Sequence, residues 1–149
     1  MPKVERTHRV CHSAQNMYAL VSDVEKYPEF FFFFEALEIQ SRREKKGREI
    51  LVASMRVGYK GFNESFQTQV TLNPDDSQIN AQYLDGPFKY LDNRWRFDVV
   101  DESTCDIQFF IDYEFKNRIL GSLMGSMFDR AFNKYVEAFE ARADALYNA

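Results

Sequence analysis

The chain has 149 residues, 45% of them hydrophobic and 28% charged, with a net charge of −4. That is the length and balance of one globular domain, taken over residues 1–149, long enough to bury a real core. The acidic balance excludes a general DNA or RNA binder, which needs a basic footprint to displace phosphate counterions, and it excludes adhesion to anionic lipid by charge alone.

Lys3 to Val10 reads as a short strand. Ser13 is a helix N-cap, and Met17, Leu20, Val21 and Val24 follow at helical spacing, so an amphipathic helix is expected over Ala14 to Glu25. Pro28 ends it or opens a second short turn. Five phenylalanines then run together, Phe30 to Phe34. From Glu35 the period changes to two. Leu37 and Ile39 lead into a polar hairpin around Gly47. Leu51, Ala53, Met55 and Val57 share one face, opposite Ile50, Val52, Ser54 and Arg56. Gly58 and Gly61 suggest a bend. Phe66, Thr68, Val70 and Leu72 alternate up to a turn at Asn73 to Ser77, then Ile79, Ala81 and Tyr83 up to a turn at Asp85 to Lys89. Leu91, Asn93, Trp95, Phe97 and Val99 share a face. Cys105, Ile107, Phe109, Ile111, Tyr113 and Phe115 make the clearest strand. A long helix is expected over Ile119 to Tyr147. Its apolar stripe runs from Leu120, Leu123, Met124, Met127 and Phe128 through Ala131, Phe132, Tyr135, Val136, Phe139 and Ala143 to Leu146. Asp129, Arg130, Lys134, Glu137, Glu140 and Arg142 lie on its other face and read as a solvated surface with local ion pairs.

The order is strand, one or two short helices, six antiparallel strands and one long helix, an α+β layout in which the helix covers one face of the sheet. No run reaches the roughly 18 apolar residues of a membrane span. Two cysteines, Cys11 and Cys105, make no disulfide scaffold, and MPKVERTHRV reads as neither a secretory signal nor a transit peptide. A cytoplasmic protein with reduced thiols is expected.

Three stretches carry a family resemblance: LVSDVEKYPEF (Leu20 to Phe30), GPFKYLDNRWRF (Gly86 to Phe97), and IDYEFKNRIL (Ile111 to Leu120) leading to AFEARA (Ala138 to Ala143). In this order they span almost the whole chain and resemble the START-like, helix-grip superfamily. The nearer likeness is to its coenzyme Q-binding branch, grouped with polyketide cyclase/dehydrase-like domains. The chain departs from that pattern after Tyr27-Pro28, where Phe31 to Phe34 stand in place of a second proline and its neighbours. The resemblance implies a curved antiparallel sheet wrapped around a long C-terminal helix. It also implies a non-enzymatic carrier that holds ubiquinone or another polyprenyl lipid in a hydrophobic tunnel and supports respiratory electron transfer. Bacterial members are also similar to ribosome-association toxins, which makes a ribosomal subunit the alternative partner. The length and the missing transit peptide fit a bacterial member, cytoplasmic and peripheral to the inner face of the membrane.

Under that resemblance the ligand-lining candidates are Phe30, Phe31, Phe33, Phe66, Tyr83, Phe88, Asn93, Trp95, Phe97, Phe109, Ile111 and Tyr113, with Met124, Phe128 and Tyr135 on the last helix. By pattern alone these are ordinary core, because pockets for apolar ligands and apolar cores use the same residue types. Five consecutive rings cannot all turn inward. Phe31 to Phe34 are therefore expected to form a lip at the tunnel mouth that touches a membrane surface. Asn93 stands ready for a quinone carbonyl, or else satisfies backbone. HRVCH (His8 to His12) holds two imidazoles and a thiol, but alternation turns Cys11 away and a fourth ligand is missing, so a metal site is not favoured. Catalysis would need a base or nucleophile inside, and the candidates on inward-reading faces are few: Asn93, Tyr83 and Tyr113. A small cyclase or dehydratase stays as the third reading, and no cofactor is expected beyond a bound lipid. RREKKGR (Arg42 to Arg48) is a solvated basic hairpin that could touch lipid head groups or ribosomal RNA.

Overall fold

In a computed structural model, Lys3–Val10 (β1), Phe34–Lys45 (β2), Arg48–Tyr59 (β3), Phe62–Asn73 (β4), Gln78–Asp85 (β5), Phe88–Asp101 (β6) and Thr104–Phe115 (β7) pair antiparallel. They form one sheet in the order β1-β7-β6-β5-β4-β3-β2. The structure describes residues 3–30, 34–59 and 62–147, without the side chains at 59, 62, 120, 123, 124, 126–128, 131 and 132. The first strand closes against the last, with Val4 opposite Ile111 and Val10 opposite Cys105. Every second residue of β7, from Cys105 to Phe115, is buried. This is the alternation of a sheet with one covered face. Lys46 and Gly47 turn the β2–β3 hairpin with φ of 53° and 78°. Two left-handed residues in a two-residue loop match the twist of the flanking strands.

The helical segments lie on the covered face. Helix α1 (Ala14–Ser22) starts where the Ser13 hydroxyl accepts the Asn16 N–H at 3.0 Å. It buries Met17, Leu20 and Val21 and packs against β6, β7 and the last helix. The expected continuation to Glu25 does not occur. The helix stops at Ser22, and Val24–Glu29 is a 3-10 segment that contains Pro28. In an α-helix the Pro28 ring would collide with the Val24 carbonyl. The Tyr27 hydroxyl turns back to donate to the Val21 carbonyl and fastens the segment under α1.

The single long helix expected at the C-terminus is two: α2 (Arg118–Asn133) and α3 (Tyr135–Tyr147), divided at Lys134. Asn133 Nδ2 donates to the Asp129 carbonyl at 2.8 Å, and the Asn133 carbonyl accepts from the Arg6 guanidinium. Side chains that capture carbonyls of the i→i−4 ladder break or bend a helix. Helix α2 packs on β7, β1 and α3. Of the expected apolar stripe, Tyr135, Val136, Phe139 and Ala143 are buried while Leu146 is half exposed. The stripe members on α2 fall outside the described side chains, and Gly61 outside the described residues. Val99 shares the inner face of β6 by register yet is 73% exposed. The β6–β7 ladder slips between Val99 and Asp101, at the end of β6, although Cys105 opposite Val99 stays buried.

Candidate functional site

The covered face carries two groups of aromatic rings. One lies where α3 meets the middle of the sheet. Trp95 sits 4.8 Å from Phe109 and 5.5 Å from Tyr135 by ring centroids, with Phe97 stacked beside it. Tyr27 and Phe30 close this group against Phe139 at 5.1 and 5.2 Å. The other lies at the far end of β6 and β7. Phe88 stacks on Phe115 at 4.8 Å and meets Phe66, Tyr83 and Tyr113 edge-on. Ile111 and Asn93 are paired in register between the two groups. The structure thus divides the predicted lining residues. Phe30, Trp95, Phe97, Phe109 and Tyr135 belong to the first group, and Phe66, Tyr83, Phe88 and Tyr113 to the second.

Phe31 and Phe33 lie outside the described residues, and Met124 and Phe128 outside the described side chains. Phe34 opens β2 facing inward, buried and 5.8 Å from the Tyr27 ring, so it takes no part in an exposed lip. Inside the sheet Asn93 is engaged on both sides: Nδ2 donates to the Phe110 carbonyl at 2.9 Å, and Oδ1 accepts the Trp95 Nε1–H at 3.1 Å. Burial raises the hydroxyls of Tyr113, Tyr135 and Tyr27, and desolvation also raises that of Tyr83. All four keep their protons at neutral pH and are hydrogen-bonding groups, not bases. The Tyr83 oxygen accepts the Phe88 N–H at 3.1 Å and so ties the β5–β6 turn.

Four inner-face residues remain partly accessible although they pack against the core: Leu37 and Ile39 on β2, Ala81 and Tyr83 on β5. They lie on strands other than β1, β6 and β7, where α1 and α2 rest; β2 packs against the 3-10 segment, and β3 and β4 between them bury their inner faces.

Sequence reading missed the polar seam between β1 and α3. Arg6 donates to Glu137 at 2.8 Å, His8 meets Glu140 at 2.9 Å and buried His12 meets Asp144 at 2.6 Å. Glu137 and Glu140 are therefore paired across the fold and not locally, with Glu137 still exposed, and both imidazoles of HRVCH have carboxylate partners. The partners stand 131 and 132 residues apart and His12 lies beyond the end of β1, so no local spacing signalled that they meet. Tyr27 and Phe139, central to the first ring group, were also missed as site residues. Phe139 follows Tyr135 by four, on the same helix face.

A concavity of about 840 Å³ lies on the outer, solvent face of the sheet, lined by Gln78, Asn80, Gln82, Arg94, Arg96 and Gln108 among others. Arg94 pairs with Asp92 and lies 5.3 Å from the centre of the Phe110 ring. Arg42, in the basic stretch of the β2–β3 hairpin, pairs with Glu25 and Glu49. Among the described residues no helix is long and apolar enough to cross a membrane.

Residues 10–140 match the family described as polyketide cyclase / dehydrase and lipid transport. The chain is 33% identical over its whole length to the ribosome association toxin RatA of Escherichia coli K12, covering 91% of it. It is 32% identical over 136 residues to the mitochondrial coenzyme Q-binding protein COQ10 of Drosophila melanogaster, covering 87% of this chain and 53% of that one. The solution structure of an 18 kDa protein from Caulobacter crescentus superposes over all of both chains with a TM-score of 0.81 at 30% identity.

Proposed function

This chain belongs to the polyketide cyclase / dehydrase and lipid transport family, and we infer that it binds a hydrophobic isoprenoid quinone between its sheet and helices. It carries that molecule to or from a membrane surface with no covalent step. The observation that carries this reading is the apolar and aromatic inner face of the sheet under the helices, on which Leu37 and Ile39 of β2 and Ala81 and Tyr83 of β5 stay only partly buried. Affinity would come from apolar area removed from water, about 25 cal/mol per Å² before the entropy of binding is subtracted. The likeness to a coenzyme Q-binding protein supports a quinone over other lipids. Native mass spectrometry of the purified protein, followed by organic extraction, tests it. A bound prenylated quinone is expected. A protein still empty after incubation with quinone-loaded liposomes sinks the reading.

A second reading is supported by the relatives aligned over the full chain, which are named for ribosome association. The outer groove with Arg94 and Arg96 offers a polar surface for it, on the opposite side of the sheet from the quinone. Co-sedimentation with ribosomal subunits that weakens with salt supports this reading, and a protein that stays in the supernatant at low salt removes it.

A further inference from the structure

Thr68 is 1% exposed, and its hydroxyl has no hydrogen-bond partner among the described residues. It lies on the inner face of β4 between Phe66 and Val70, opposite Ala53 on β3 and Tyr83 on β5. None of these side chains answers it: three are apolar, and the Tyr83 hydroxyl is bonded to the Phe88 N–H. The β4–β5 ladder slips at this residue. Gln67 pairs with Asp85 but Thr68 with Tyr83, which leaves Leu84 as an extra residue in β5. A bulge bends its strand and re-aims the side chains beside it.

An unpaired buried hydroxyl is costly, and a valine of the same shape would fill the position without that cost. A trapped water is a poor partner, because a stable buried water wants two to four polar contacts and the side chains around Thr68 supply one. An oxygen brought in on a molecule that is already held by apolar burial has no such requirement. Asn93, the amide expected to serve this purpose, is occupied by Trp95 and Phe110. Ala81, on the neighbouring strand, is only partly buried.

We propose that the Thr68 hydroxyl is the polar anchor of the internal site and donates a hydrogen bond to a carbonyl oxygen of the bound molecule. This deepens the carrier reading and rests on it. The site would therefore take an apolar ligand with a carbonyl on its ring, and would distinguish it from a hydrocarbon of the same shape.

The test uses the full chain, a decyl-substituted benzoquinone, and decylbenzene as the hydrocarbon. Trp95 is the only tryptophan, and its quenching reports quinone binding. Decylbenzene is read by competition. Thr68→Val keeps the volume, and its urea midpoint checks the fold. That midpoint is expected to equal or exceed the wild-type value, because the orphan group is gone. Quinone affinity is expected to fall about threefold to tenfold, the worth of one net hydrogen bond, with decylbenzene unchanged and with Thr68→Ser within about twofold of wild type. If Thr68→Val binds quinone as the wild type does, or loses quinone and hydrocarbon alike, the anchor is wrong while the carrier reading stands. A wild type that binds neither probe overturns the carrier reading, and the anchor falls with it.

Discussion

Arg6 on β1 holds the Glu137 carboxylate on α3, and this hydrogen bond lowers the acid's pKa below its ordinary value despite partial burial. The sign follows from linkage. A carboxylate depressed in the folded state adds stability above its unfolded pKa and loses it as pH falls through the folded value. Glu137→Gln is therefore expected to flatten the acid limb. Between about pH 5 and about pH 3 its urea midpoint should drop less than that of the wild type. Parallel curves for the two proteins would show that the pair carries no acid sensitivity. Such a contact was illegible in sequence, since the two residues are 131 apart. Only the pairing of the first strand with the last brings them together. Asn93 shows the same limit in another way. Its inward position followed from alternation, but its commitment to Trp95 and Phe110 depended on where neighbouring strands placed a ring nitrogen and a carbonyl.

At the level of elements, period two was a reliable guide wherever a strand crosses the core. All of β7 and the inner side of β3 followed it. It failed at Val99, where the ladder slips at the end of β6 and both Val99 and Val100 are exposed. The turn at Asp85 to Lys89 rests on Gly86, whose φ of 143° and close approach to Phe66 leave no space for a side chain. A Cβ there would stand 2.4 Å from Phe66 Cβ and 2.9 Å from its Cα. Gly86→Ala is expected to cost at least about 1–3 kcal/mol in urea unfolding through backbone strain, with the clash in addition. A change under half of that range would mean that the β5–β6 turn relaxes freely. The last helix was misjudged for a plain reason. Its apolar stripe continues in phase through Lys134, so the pattern contains no stop signal. The guanidinium that captures the Asn133 carbonyl comes from a different element, β1.

Across the whole molecule, the first ring group joins four elements: the 3-10 segment through Tyr27, β6 through Trp95, β7 through Phe109 and α3 through Phe139. Phe139 is fully buried at its centre. Phe139→Ala is expected to cost about 3–5 kcal/mol in urea unfolding, as a large ring is lost from a site held on several sides. A cost near 1 kcal/mol or less would mean that the group collapses around the gap. The sequence alone determined the order of elements, the inner face of each crossing strand and the aromatic content of that face, because burial on a sheet imposes a local period that needs no partner to be read. The family likeness was legible there too, in three short stretches set in the right order. Only the tertiary structure decided how the predicted lining divides into two ring groups, that Asn93 is occupied and Thr68 is not, and which helix carbonyl Arg6 captures. Each of these depends on distances between residues far apart in the chain, and on whether a polar group finds its partner across that gap, which no local period encodes.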